Sequence, residues 1–223
     1  MFKKEYVDTK QRILNQALKA FNKSGYGAVN LFELAKSLEM SRGNMTYHFK
    51  DKEALLKELI DQLWEKLTSG RVAKSIPSFQ NLHHDAQLYY RLQQEYTFIF
   101  HDNQVLMHPL IAKKMKSLCE KTIKDIETAI AFSIQLGNMK VEPAPGVYKN
   151  LAITSWMMMF FWRSHQMVKQ DKTKEDGEKV IWSLLLPHLT EKGLASFKKF
   201  FGEDYLTNMG EAFDENMDSY LTF

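Results

Sequence analysis

The stretch Asn30-Leu-Phe-Glu-Leu-Ala-Lys-Ser-Leu-Glu-Met-Ser-Arg-Gly-Asn-Met-Thr-Tyr-His-Phe-Lys-Asp-Lys52 decides the fold. Leu31, Leu34, Ala35 and Leu38 recur at helical spacing and line one face. Asn30 is placed to cap that helix, and Glu33 to close a capping box at the same end. Leu38-Glu39-Met40 leaves room only for a sharp reversal. Ser41 then caps a second, short helix in which Met45 and Phe49 point inward. Two short helices joined by a tight turn are a helix-turn-helix.

Outward from the second helix stand Arg42, Gly43, Asn44, Thr46, Tyr47 and His48. A helix-turn-helix lays its second helix in the major groove, with the first turn at base edges. Arg42 can hold guanine and Asn44 adenine through paired hydrogen bonds, each good pair worth about 1–3 kcal/mol of discrimination. Thr46 suits a thymine methyl or a phosphate, and Tyr47, His48, Lys50 and Lys52 carry donors for backbone phosphates. Asn30 completes this expected DNA-binding set. A helical hairpin with a merely solvated charged face is the bland alternative, but caps, turn length and outward residue types all agree on an interface.

Upstream, Asp8 with Gln11 is placed to cap a first helix whose face is Ile13, Leu14, Ala17, Leu18 and Phe21, ended by Gly25. Downstream, Asp51 caps a fourth helix with Leu55, Leu56, Leu59, Ile60, Leu63, Trp64 and Leu67 on its buried stripe. The expected division is a three-helix head over residues 1–50 and a helical body over 51–223, linked by that fourth helix.

Thr9-Lys-Gln-Arg-Ile-Leu14, Ala17-Leu-Lys-Ala-Phe21, Gly25-Tyr26, Leu34-Ala35 and above all Ser41-Arg-Gly-Asn-Met-Thr-Tyr-His-Phe-Lys-Asp-Lys-Glu53 with Leu55-Leu56 resemble the DNA-binding head of the TetR family of bacterial one-component regulators. The resemblance covers residues 9 to about 60. It implies that Arg42, Gly43, Asn44, Thr46, Tyr47 and His48 lie on the recognition helix and that Lys50 or Lys52 meets phosphate. Phe32 departs from it, standing where many members carry a basic or polar residue.

The body reads as helices throughout, giving an all-α class. Tyr89, Leu92, Tyr96 and Ile99 mark one stripe, and Met115, Leu118 or Cys119, Ile123, Ile126, Ile130 and Ile134 a second, ended by Gly137. Pro143, Pro145 and Gly146 break the chain before a helix over 147–168, apolar on every side from Leu151 to Trp162 and so expected to be buried all round. A later helix runs from Lys174 to about Leu186, where Pro187 ends or kinks it. The acidic segment after Gly202, with Tyr205, Leu206, Phe213, Tyr220 and Leu221, is either a packed helix or a loose end. In the resembling family the last two long helices form a four-helix dimer interface, which these two match. A homodimer also suits a palindromic operator in double-stranded DNA, with half-sites about 34 Å apart or a multiple of that.

Tyr96, Phe100, Met107, Trp156, Met159, Phe160 and Trp162, with His101 as a polar anchor, are candidates to line a cavity for a small apolar or amphipathic effector. Plain helical core is the competing reading of the same stripe. Asp102 and His108, or His83 and His84, are further polar candidates, but no set has metal-site spacing, and neither metal nor cofactor is expected. Walker, Gly-x-Ser-x-Gly and His-Glu-x-x-His signatures are absent, and Gly25-Tyr-Gly27 lacks the third glycine of a dinucleotide loop, so no enzyme is indicated.

Charge supports the head. The net charge is +3 over 223 residues, yet residues 1–52 carry ten Lys or Arg against five Asp or Glu. One cysteine, Cys119, excludes an internal disulfide and fits a reducing compartment. Without a signal peptide, and with no apolar run near the ~20 residues of a membrane span, a soluble cytoplasmic protein is expected. The expected function is a DNA-binding regulator, a repressor released by an effector. An activator of the same fold and a protein-interaction module are the alternatives.

Overall fold

Among the described residues the chain folds into helices, joined by turns and one isolated antiparallel bridge between Met139 and Leu189. The structure, a computed structural model, describes residues 2–71, 77–169, 176–213 and 215, with side chains from Thr9 onward. In chain order the elements are α1 (Phe2–Ser24), α2 (Leu31–Ser37), α3 (Arg42–His48), α4 (Lys52–Gly70), α5 (Phe79–Glu95), α6 (Thr97–His101), α7 (Asn103–Leu106) and α8 (Pro109–Gln135). They continue with α9 (Val147–Lys169), α10 (Gly177–Leu185), a 3-10 turn (Leu186–His188), α11 (Glu191–Phe201) and α12 (Glu203–Thr207).

The head is fixed by its caps. Asn30 Oδ1 accepts from the Glu33 N–H at 2.8 Å, Ser41 Oγ from the Asn44 N–H at 3.1 Å, and Asp51 Oδ1 from the Ala54 N–H at 2.8 Å. Each satisfies a helix-end donor that would otherwise lack a partner. The reversal between α2 and α3 places Glu39 at φ 57°, which lets the Met40 N–H return to the Ala35 carbonyl at 2.9 Å. Ile13, Leu14, Ala17 and Phe21 of α1 bury against Leu34, Ala35, Met45, Phe49 and the α4 leucines. The same cluster runs without a break into Tyr96, Phe98, Ile99 and Phe160 of the body.

Two sequence expectations change. Helix α1 begins at Phe2, so it runs through Asp8 and is not capped there; Lys3, Lys4 and Glu5 are good helix formers and give no stop. The stripe ending at Ile99 spans two helices, because α5 closes at Glu95 and Ile99 belongs to α6. Helix α9 leaves one side uncovered by its own chain, as expected of a helix whose other face meets something else: Met157, Phe161 and Met167 are about half exposed and Val168 is open. The later helix is capped by Asp176 Oδ1 on the Glu178 N–H, whereas the expected start at Lys174 lies outside the described residues.

Pro187 sits in the 3-10 turn that follows α10, as its missing N–H requires. Beyond it α11 crosses the turn after α8, and a Cβ built on Gly193 would stand 1.9 Å from the Asn138 carbonyl oxygen. Only a residue without a side chain permits that approach. Helix α12 is part of the packed tail, with Tyr205 stacked on Phe201, while Tyr220 and Leu221 lie outside the described residues.

Candidate nucleic-acid interface and ligand cavity

Helix α3 buries Met45, with Phe49 buried at its C-cap, and presents most of its remaining surface to solvent. Arg42, Gly43, Asn44, Thr46 and Tyr47 are all exposed, Tyr47 at 73%, and His48 is half-buried with its ring edge-on to Tyr47. Nothing lies within 4 Å of a Cβ at Gly43, so the middle of this face is open. Thr46 returns its hydroxyl to the Arg42 and Gly43 carbonyls. Asn30 spends its carbonyl on the α2 cap, which leaves its amide nitrogen for an outside partner. Phe32 is 60% exposed on the neighbouring helix.

The two lysines after α3 separate. Lys50 extends into solvent beside Asp51 at 3.7 Å, with 84% of its side chain exposed. Lys52 turns back: its Nζ donates to the Tyr26 carbonyl at 2.8 Å and lies 4.3 Å from the centroid of the Tyr26 ring. It braces the loop between α1 and α2.

That loop is also gripped from the body. The Tyr26 N–H donates to Asp102 Oδ2 at 2.9 Å while Asp102 Oδ1 caps α7 through the Gln104 N–H, also at 2.9 Å. Asn22 reaches the same segment, donating to the Glu95 carbonyl at 2.8 Å and accepting from the Phe98 N–H at 3.0 Å. Burial, followed by Glu53 and Asp51, pushes the Tyr26 hydroxyl above its usual range, so it stays protonated. Helix α6 is in turn held to α9, where Ser164 Oγ meets His101 Nδ1 at 3.0 Å. Burial and, second, Arg163 lower the His101 pKa, favouring the neutral ring.

The body contains a cavity of about 330 Å³ between α5, α8, α9, α10 and α11. Its wall is apolar along Ile126, Ile130, Met139, Ile181 and Leu185, and aromatic at Phe79, Trp182 and Phe197. Those three rings pack edge to face, with centroids 5.4–5.7 Å apart. Glu178, only 2% exposed, lines it as well. Its carboxylate accepts from Gln87 Nε2 at 2.6 Å and Trp182 Nε1 at 2.9 Å, and meets His83 Nδ1 at 2.6 Å. Arg71, the C-cap that follows α4, lines the cavity between Asp85 at 3.6 Å and Asp125 at 2.8 Å.

Of the effector residues expected from sequence, Met159 lines this cavity. Tyr96 and Phe160 are packed into the core shared with the head, Phe100 lies edge-on to Tyr89 and Phe160, and Trp156 stacks on Phe160. Trp162 is pressed against Gly177, His101 is engaged by Ser164, and Met107 is 79% exposed. The stripe belongs to the seam of α5, α6 and α9, and the cavity opens beyond it toward α10. Glu178 carried a readable signal, since it shares a helical face with Ile181, Trp182 and Leu185 and so had to be buried. Ser155 and Arg71 carried none. No group of three or more His, Cys, Asp or Glu among the described residues is placed to hold a metal ion. No described helix is long and apolar enough to cross a membrane.

Comparison with known proteins matches two family models: bacterial regulatory proteins of the tetR family over residues 13–59, and the TetR model, described as a bacterial transcriptional repressor, over residues 62–197. The chain is 38% identical over 63 residues to the HTH-type transcriptional regulator AcrR of Shigella flexneri, covering 28% of this chain and 27% of that protein. It is 42% identical over 55 residues to QacR of Staphylococcus aureus, covering 25% of this chain and 29% of that protein. The chain therefore spans less than a third of either relative's length. A TetR-family transcriptional regulator from Marinobacter aquaeolei shares the fold, with a TM-score of 0.72 at 19% identity over 86% of this chain and 98% of that one.

Proposed function

Because the chain belongs to the TetR family of bacterial transcriptional regulators, we propose that it binds a palindromic operator as a homodimer and represses transcription until a small apolar or amphipathic effector enters the body cavity. The observation that carries this reading is the exposed face of α3. A helix capped at Ser41 and pinned by two buried residues holds Arg42, Asn44, Thr46 and Tyr47 rigidly outward. Arg42 and Asn44 read base edges, while Tyr47, His48 and Lys50 hold phosphates. Lys52 acts mainly by fixing the loop beside the recognition helix, with Asn30 as the neighbouring cap and amide donor.

The exposed apolar strip of α9 supplies a surface that a second copy covers. Met157, Phe161 and Val168 would otherwise stand in water. A two-fold dimer then presents two α3 helices to successive turns of the duplex.

Coupling between cavity and head has two physical carriers. Helix α4 begins at Lys52 beneath the head loop and ends at Gly70, and Arg71, its C-cap, stands in the cavity wall. Helix α9 contributes Ser155 and Met159 to the cavity and holds α6 through Ser164 and His101, next to the Asp102 grip on Tyr26. An effector that favours one arrangement of these helices weakens DNA binding, and DNA weakens effector binding by the same factor.

Selection from random duplexes with the purified protein, followed by anisotropy across a salt series, tests the reading. An enriched inverted repeat whose specificity is relaxed at one base by Arg42→Ala supports it. Indifference to duplex sequence at every salt concentration, in protein shown by native mass spectrometry to carry no co-purified ligand, overturns it and favours a protein-interaction role for the same helices.

A further inference from the structure

Phe32 stands apart from the polar chemistry of the DNA-binding face. It lies in the first turn of α2, two residues after the Asn30 cap, and is 60% exposed. Single exposed apolar side chains are common on protein surfaces, so exposure alone says little. Its company says more. Among the described residues of the head, the large apolar side chains left in water are Phe32 and Tyr47, and they belong to the two helices of the helix-turn-helix.

The flanks of α2 are distinguishable. Leu34 and Ala35 face the core, and Ser37 Oγ accepts from Gln16 Nε2 of α1 at 3.3 Å, which marks the flank turned to α1. Phe32 lies five residues before Ser37, about 140° round the helix, on the flank that adjoins Ala35. The chain leaving α2 turns back to that flank, with the Met40 N–H on the Ala35 carbonyl at 2.9 Å, and α3 follows. The ring of Phe32 therefore extends the face that α3 presents.

The first helix of a helix-turn-helix crosses the phosphate backbone at the lip of the groove that the second helix enters. The thymine 5-methyl group stands in that groove, and a phenylalanine ring is one of the apolar groups that recognise it. From this placement we infer that Phe32 determines specificity by covering the methyl group of a thymine at the edge of the bases read by α3. The inference rests on the operator reading above and adds an apolar contact to it. A ring releases no counterions from the duplex, so its contribution is insensitive to salt.

The duplex enriched from random sequence by the wild-type chain is the probe, with each thymine replaced in turn by deoxyuridine to remove the methyl group alone. Anisotropy should show one symmetric pair of thymines, one in each half-site, at which the wild type loses about fourfold in affinity per methyl group. Phe32→Ala should bind the unmodified duplex about tenfold more weakly, ignore uracil at that position and keep the same salt slope. Should alanine unsettle the head in urea unfolding, Phe32→Leu against Phe32→Lys decides the question. Leucine should retain the uracil sensitivity, whereas lysine should abolish it and steepen the salt slope. Wild-type affinity in Phe32→Ala, a loss that is the same at every thymine, or a sensitive position that stays sensitive in Phe32→Ala or in Phe32→Lys overturns the inference and leaves the operator reading standing. An enriched site with no thymine at its edge does the same. Failure to enrich any site overturns the operator reading and this one with it.

Discussion

The Asp102 carboxylate bonds the Tyr26 backbone N–H at 2.9 Å with one oxygen and caps α7 with the other. One side chain of the body thus ends a helix of its own and holds a loop of the head. Bonds to an ionised acceptor are the stronger kind. Asp102→Ala should lower stability by about 1–3 kcal/mol in urea unfolding and weaken operator affinity, while Asp102→Asn should recover part of both. An affinity unchanged in Asp102→Ala would mean that the grip does not position α3.

Gly43 separates stability from recognition. A methyl group there meets nothing within 4 Å, and alanine in place of a helical glycine stabilises by roughly 0.5–1 kcal/mol. Gly43→Ala should therefore raise the melting temperature and reduce operator affinity, because the methyl group occupies space the duplex needs. Affinity that rises with stability would place the duplex elsewhere.

The lysines should part company in the same assays. Lys50→Ala should leave the unfolding curve unchanged and make the salt dependence of DNA binding shallower by about one. Lys52→Ala removes the bond to the Tyr26 carbonyl and the cation over its ring, so it should cost about 1 kcal/mol in unfolding.

At Gly193 the Asn138 carbonyl oxygen stands 1.9 Å from any added Cβ. Both contacting groups are backbone and cannot swing away, so Gly193→Ala should destabilise by about 2 kcal/mol or more. Since Phe197 on the same helix lines the cavity, effector affinity should fall with it, as calorimetry would show.

His101 ties stability to pH. Burial, and then Arg163, hold its folded pKa below the ordinary 6.5, so the unfolded chain binds the proton more readily. The stabilising contribution is full above the unfolded value and is lost as pH falls through the folded one. Urea midpoints measured through the mildly acidic range should drop more steeply in the wild type than in His101→Gln.

Much of the head was legible because its determinants are local. Asn30, Ser41 and Asp51 cap the helices they were expected to cap, and Met45 and Phe49 are inside because their spacing admits one face. The first cap at Asp8 was not, since a capping residue inside a run of helix formers does not oblige the helix to start there. The body was legible as helices but not as a site. Trp156, Phe160 and Trp162 read equally well as wall or as core, and their role depends on which helix stands opposite. Lys52 shows the limit most plainly: a cation beside a recognition helix reads as a phosphate contact, and only the fold reveals the Tyr26 carbonyl in its reach.

One hydrophobic cluster runs from Ile13 of α1 to Phe160 of α9, with Asn22, Tyr26 and Asp102 stitched across it. Heads and bodies exchanged between relatives at the α3–α4 boundary would carry half of that seam each. A working chimera must therefore transplant the α6–α7 segment together with the head, and evolution reshuffling such regulators faces the same requirement.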